Sequence, residues 1–178
     1  WFIGTGTTAF LVDVNVQFRK VVTAGHDSPQ VILASQATEL DEEVISLAYF
    51  PYSRFIEDPE LAKRGGADVH RQWLLSSFGK PGKHLALAKG PDGAVNGFAL
   101  YSYENDCCTI ELIAVSPRLR RSGIGTTLFR AVESAAYRYG CSEMRVGTQL
   151  RNHDAVNFYH KLGCSQVECS EIYHLWNR

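Results

Sequence analysis

The sequence predicts an α/β fold of the α+β type, a mixed and mostly antiparallel sheet flanked by helices. Three observations carry this expectation. Residues 84–89, 95–103 and 108–115 are apolar-rich runs separated by Pro91-Asp92-Gly93 and Glu104-Asn105-Asp106, the pattern of an antiparallel meander. Directly after it, Ile124, Leu128, Ala131, Val132, Ala135, Ala136 and Tyr139 hold a helical period that closes at Gly140. Near the start, Val12, Val14, Val16 and Phe18 alternate with Asp13, Asn15, Gln17 and Arg19, which gives a half-buried strand.

The remaining elements follow in order. Residues 31–34 form a second, shorter strand. Thr38 caps a helix through Val44, Leu47 and Ala48, with Glu39, Asp41, Glu42 and Glu43 favourable in its first turn and Pro51 closing it. Asp58-Pro59 pairs an N-cap with proline at the first helical position, and Gly65-Gly66 separates it from a better helix around Val69, Trp73, Leu74 and Phe78. Past the long helix, Met144, Val146 and Thr148 alternate into a strand, a short helix runs around Ala155, Val156, Tyr159 and Leu162 to Gly163, and a last strand spans 171–176. The predicted order is ββ-α-α-βββ-α-β-α-β.

A chain of 178 residues is expected to form one domain, 1–178, and to bury a core without disulfide or metal staples. Its apolar fraction of 45% and charged fraction of 21% are those of ordinary globular proteins. A net charge of −1 offers no broad basic face to nucleic acid or anionic lipid, although Arg118, Arg120 and Arg121 cluster locally. The five cysteines (Cys107, Cys108, Cys141, Cys164 and Cys169) contain no C-x-x-C pair, so free thiols in a reducing cytoplasm are expected and no metal site is. No membrane span or export leader is expected. The chain opens at Trp1 without an initiator Met, as expected of a fragment or a processed product.

The segment Arg120-Arg121-Ser122-Gly123-Ile124-Gly125 lies between a strand ending at Val115, a turn containing Pro117, and the long helix. Unpaired N–H groups at such a helix start point at a bound anion, and glycine lets the backbone come close, which suits a pyrophosphate. The P-loop lysine is missing, and the spacing is not that of a dinucleotide fold. Gly4-Thr5-Gly6-Thr7-Thr8-Ala9 fits G-x-G-x-x-A, but no strand precedes it and a strand, not a helix, follows.

Val115-x-Pro117-x-x-Arg120-x-x-Gly123-x-Gly125 resembles the acetyl-CoA signature of the GNAT acetyltransferase superfamily, and Asn152-x-x-Ala155-x-x-x-Tyr159-x-x-x-Gly163 resembles its second motif. The resemblance covers residues 84–178. It implies a sheet whose two central parallel strands, 109–115 and 144–149, splay apart to admit the pantetheine arm of acetyl-CoA. It further assigns Ile113, Ala114, Val115, Arg120, Arg121, Ser122, Gly123, Ile124, Gly125, Thr126, Asn152, Ala155 and Phe158 to the cofactor. Residues 81–178 are then the acetyl-CoA half and residues 1–80 the acceptor half. A narrower resemblance, to nucleotide amino-sugar acetyltransferases of the dTDP-fucosamine type, rests on Ser53-Arg54-Phe55, on Val146-Gly147-Thr148-Gln149 before Asn152, and on Glu171-x-Tyr173-His174-Leu175-Trp176. Those enzymes carry an additional N-terminal region. Cys107-Cys108 with Glu111 departs from that subgroup.

An amine attacks a thioester as the free base, so one group must take a proton and another must meet the departing thiolate. Glu111, on the strand leading into the loop, is a candidate base, directly or through water; it is equally well read as an ion-pair partner or a solvent-facing residue. His70 and His84 are alternative bases, and lone histidines are more often structural. Tyr159 stands where the superfamily keeps a tyrosine near the CoA sulfur, while by itself it reads as a core aromatic. Asn152 serves the pantetheine arm, a helix N-cap, or both. Arg54, Tyr101, Tyr103 and Gln149 are acceptor-side candidates, Arg54 because a guanidinium grips phosphate. Cys107 and Cys108 lack a paired base and read as buried thiols.

The expected function is acetyl transfer from acetyl-CoA to a primary amine of a small acceptor, with a nucleotide-linked amino sugar first, and neither nucleic acid nor membrane as partner. A homodimer is compatible with the sequence. Peptide or polyamine acceptors, and a non-catalytic acyl-CoA-binding module, are the alternatives.

Overall fold

Val12, Val14, Val16 and Phe18 belong to β1 (Phe10–Val21) in a computed structural model that describes residues 9–25, 30–34 and 42–176. Six further strands complete one sheet: β2 (Val31–Ala34), β3 (Lys83–Lys89), β4 (Val95–Glu104), β5 (Cys107–Val115), β6 (Glu143–Gln149) and β7 (Ser165–His174). Their spatial order is β2-β3-β4-β5-β6-β1-β7. Every neighbouring pair is antiparallel except β5 and β6, which are parallel. The expected mixed, mostly antiparallel sheet is therefore present.

Two apolar layers cover the sheet. On one face, α5 (Ile124–Tyr139) and α6 (His153–Lys161) pack Leu128, Phe129, Val132 and Tyr159 against Val16, Phe18, Ala99, Ile110 and Val146. On the other, α1 (Glu42–Ser46) and α4 (Val69–Ser77) close over Leu85, Phe98, Leu100 and Leu112 with Val44, Ala48 and Leu74. The N-terminal strand is locked between β6 and β7 by pairing on both sides. It is also tied to α5, because the buried Glu133 carboxylate pairs with Lys20 and accepts the Thr23 hydroxyl at 3.0 Å.

Two expectations change. In place of two helices between β2 and β3 there are four short ones among the described residues, since α2 (Arg54–Glu57) and α3 (Pro59–Lys63) intervene. Their boundaries are local: Ser53 and Asp58 cap α2 and α3, Pro59 opens α3 as expected, and Gly65 at φ 88° breaks the run before α4. Thr38, Glu39 and Asp41, and residues 4–8 of the glycine-rich start, lie outside the described residues. The last strand begins at Ser165, not at 171; residues 165–169 are exposed on an edge strand, so they show no apolar alternation to read.

Asp58 joins the helical layer to the end of the sheet. It is 0% exposed, and Oδ1 accepts the N–H groups of Glu60 at 2.8 Å and Leu61 at 3.3 Å. Oδ2 meets His174 Nδ1 at 2.5 Å and accepts Trp176 Nε1–H at 3.0 Å. Burial pushes this carboxyl up, but the bonds from His174, Glu60, Leu61 and Trp176 outweigh it and hold it below the usual carboxylate value. A depressed carboxyl stabilises the fold above its unfolded pKa of about 4 and loses that contribution as pH falls through the folded value. Asp58→Asn is therefore expected to lower Tm near neutral pH, and the deficit should shrink below about pH 4. A deficit constant across thermal melts from pH 7 to pH 3 would mean that the charge contributes nothing.

Candidate active site

β5 and β6 are paired in register from Cys107–Glu143 to Ile110–Val146, and there the pairing stops. β5 continues to Val115 along β4, and β6 continues to Gln149 along β1. Residues 111–115 and 147–149 consequently have inner edges whose backbone groups no neighbouring strand takes, and such groups require a partner from elsewhere.

The parting coincides with a bulge. Leu100 pairs with Leu112 and Tyr101 with Ile110, so Glu111 is an extra residue on β5. The alternation turns over at that point. Cys108 and Ile110 face α5 before it and Ile113 and Val115 after it, while Leu112 and Ala114 pack in the α1/α4 layer. Glu111 is delivered to the α4 face, with its side chain 8% exposed. Its carboxylate pairs with Lys83 and accepts the Ser102 hydroxyl at 2.6 Å and the Trp73 indole N–H at 3.2 Å.

Beyond the parting strands, Pro117–Leu119 makes one tight turn and the loop enters α5 through left-handed residues, Arg121 at φ 63° and Gly123 at φ 90°. The first helical bond here runs from Thr127 N–H to the Gly123 carbonyl at 3.0 Å, and no side chain caps the helix. The N–H groups of Ile124, Gly125 and Thr126 are thus left at the positive end of a 16-residue helix, beside the exposed Arg120, Arg121 and Ser122. This is an anion site of the kind the sequence predicts. Ser122 donates to the Leu119 carbonyl at 2.6 Å and shapes the turn. Phe158 brings α6 against the loop, since a Cβ on Gly125 would lie 3.4 Å from its ring.

Asn152 is the N-cap of α6, accepting Ala155 N–H at 3.2 Å, and its amide reaches Thr148 Oγ1 at 3.4 Å. Tyr159 is 3% exposed among Phe18, Phe129 and Phe158, with ring centroids 5.3, 6.4 and 5.3 Å away. Burial pushes its hydroxyl pKa well up.

The acceptor-side candidates divide. Arg54, on α2, lies over the Phe55 ring at 4.6 Å on the α4 side of the sheet, where Phe55 also touches His70 and His70 stacks on Trp73. Gln149 ends β6 at the open gap. Tyr101 and Tyr103 are elsewhere. They cluster with His84 and Tyr139 on the α5 face, opposite Ile110 and Cys108, where β5 and β6 are still paired. Burial pushes the thiols of Cys107 and Cys108 up and that of Cys164 up to about 11, which disfavours the nucleophilic thiolate. Sequence reasoning missed Asp13, which reads there as a residue on the polar face of β1 and is buried against α2.

A sequence profile of the Acetyltransferase (GNAT) family matches residues 43–164, a span that contains the parting strands, the loop and α6. The chain belongs to the GNAT family. It is similar to the spore coat polysaccharide biosynthesis protein SpsD of Bacillus subtilis, 24% identical over 127 residues that make up 71% of this chain and 44% of that protein. The chain thus spans under half the length of that relative. Its fold is that of a GNAT-family structure from Novosphingobium aromaticivorans, with TM-score 0.67 and 16% identity over 97% of this chain and 69% of the other. An aminoglycoside N-acetyltransferase in complex with CoA is 26% identical, with TM-score 0.51 over 61% of this chain and 76% of its own. The GNAT domain is an acetyl-CoA-dependent N-acetyltransferase domain, and the anion site at α5 suits the pyrophosphate of that co-substrate.

In the GNAT loop, Gly123 meets no atom within 4 Å where a Cβ would be added, so a side chain there acts on the backbone alone. Gly123→Ala is expected to cost about 1 kcal/mol of stability and to raise the KM for acetyl-CoA by about tenfold as the loop leaves its positive φ, with kcat changed less. Steady-state kinetics at varied acetyl-CoA check this; an unaltered KM would separate the loop from cofactor binding.

Proposed function

We propose that this domain transfers the acetyl group of acetyl-CoA to a primary amine of an amino sugar, with residues 81–178 holding the donor and residues 1–80 supplying the acceptor face. The observation that carries this reading is the end of β5/β6 pairing at Ile110–Val146, next to a bulge that presents Glu111 on the face opposite α5. An acyl-pantetheine arm entering from the loop would bond the unpaired strand edges and bring its thioester to that end. Asp13, Arg54, Glu57, Glu111 and Arg151 surround the acceptor face with both signs of charge, which suits a polar, amine-bearing molecule better than an apolar one. Two similar proteins, one of polysaccharide biosynthesis and one an aminoglycoside N-acetyltransferase, support an amino sugar. Arg54 is the group that would meet the diphosphate of a nucleotide-linked form.

The amine nitrogen attacks the thioester carbonyl, the C–S bond breaks, and the amine proton passes through a water to Glu111. A carboxylate offers about four acceptor sites, and Lys83, Ser102 and Trp73 occupy three, which leaves one for that water. Tyr159 donates a hydrogen bond to the departing sulfur. A buried tyrosine whose pKa is raised lies well above a thiol's ordinary value of about 8.5, so it stabilises the thiolate without giving up its own proton.

Two measurements test this. CoA release is expected with amino sugars, nucleotide amino sugars and aminoglycosides in preference to peptides and polyamines; a preference for peptides, or cofactor binding without turnover on any amine, sinks the reading. Tyr159→Phe should lower kcat by roughly 10- to 100-fold while the KM for acetyl-CoA stays within about twofold, as expected for one donor to a developing anion. An unchanged kcat would take Tyr159 out of the chemistry.

A further inference from the structure

The protein buries two aspartates at its acceptor end and treats them oppositely. Asp58 has a partner for each lone pair, whereas both oxygens of Asp13 are buried with no hydrogen-bond partner among the described residues. Asp13 is 2% exposed. Burial pushes its carboxyl above the usual range; the neighbouring Val14 N–H, Arg151 and Arg54 offset part of that rise, and Glu57 adds to it. A buried carboxyl without donors lowers the stability of the fold, and a hydrogen-bonded or apolar residue would not. Such a cost at one strand position calls for a use.

Its place in the sheet indicates which. The pairing of β1 with β7 shifts between Leu11 and Asp13, so Val12 is an extra residue, and Asp13 just after it lies by the strand's alternation on the face opposite the core residues Val16 and Phe18. That face is the one α2 covers. The two strands flanking β6 at the open end, β5 and β1, thus each carry a carboxylate on the same side beside an irregularity of the ladder, Glu111 at the bulge of β5 and Asp13 next to that of β1. A continuous series of contacts joins them: Trp73 bonds Glu111 and stacks on His70, His70 touches Phe55, and Arg54 beside Phe55 acts on Asp13. The cover over Asp13 is light. α2 is a single turn with no buried residue, held to the end of β6 by a half-exposed Arg151–Glu57 pair at 3.3 Å.

We infer that Asp13 is an acceptor-binding residue whose carboxylate takes an ammonium group of the acceptor beneath α2, while a second amine of the same molecule is acetylated near Glu111. The assignment rests on the amino-sugar reading above and narrows it to acceptors with at least two amines. Glu111 is already occupied by three donors, whereas no side chain among the described residues bonds the Asp13 carboxyl, so the added cation belongs at Asp13.

The test compares the wild-type protein with Asp13→Asn on glucosamine and on a diaminoglucose. The ratio of kcat/KM for the diamine over the monoamine is expected to fall by about tenfold or more in the variant, as for the loss of a hydrogen bond to a charged group. The KM for acetyl-CoA should not follow it. The Tm of the unliganded variant should equal or exceed that of wild type, which a carboxylate serving only to steady Arg54 and Arg151 would not give. An unchanged ratio, or a Tm several degrees lower with the ratio intact, overturns the role of Asp13 and leaves the amino-sugar reading standing. A wild-type protein that acetylates neither sugar overturns both.

Discussion

Two strands that stay hydrogen-bonded cannot admit a ligand between them, and the acting end of this domain depends on β5 and β6 ceasing to pair after Ile110 and Val146. Separation is unfavourable unless each strand is held from its outer side. β4 holds β5 up to the Gly97–Val115 pair, and β1 holds β6 up to Asn15–Gln149. The bulge at Glu111 then rotates β5 so that Ile113 and Val115 lie under α5, whose uncapped start faces the same gap. The open edges and the placing of the Glu111 side chain accompany one interruption in one ladder.

The outer strands therefore matter as much as the gap. β1 is fixed by Val16 and Phe18 in the core and by the buried Glu133 contacts to Lys20 and Thr23. Phe18 and Lys20 lie opposite Val146 and Met144, where β5 and β6 remain paired. The N-terminal half of β1, with Asp13, meets the single turn of α2 and the Arg151 side chain among the described residues.

Much of this was legible in residue order. The meander and α5 follow from alternation, turn residues and a helical apolar stripe, all local signals, and the loop announces itself by Gly123 and Gly125 after Pro117. Asp58-Pro59 is a cap in the sequence and a cap in the fold. Bulges are different, because one extra residue leaves no mark in the sequence when its neighbours are Ile110 and Leu112 or Leu11 and Asp13. Alternation also says which side chains share a face without saying what covers it. Asp13 thus reads as a polar-face residue like Asn15 and Gln17, though α2 seals it in. Tyr101 and Tyr103 lie on the α5 face, away from Glu111, for a related reason: period two does not tell which side of a sheet a given set of side chains takes.

The position of β1 has a consequence for how the domain comes into being. The strand precedes the other six in sequence, yet its neighbours in the sheet are β6 and β7, the last two of them. It has no partner to join until those two have been made, and long-range pairing of this kind is slow because the closing loop is large. The local meander β3–β4–β5 is free to assemble early, and with it one side of the open gap. The other side must wait until β1 finds β6 and β7, so the gap takes its shape only after long-range pairing is complete.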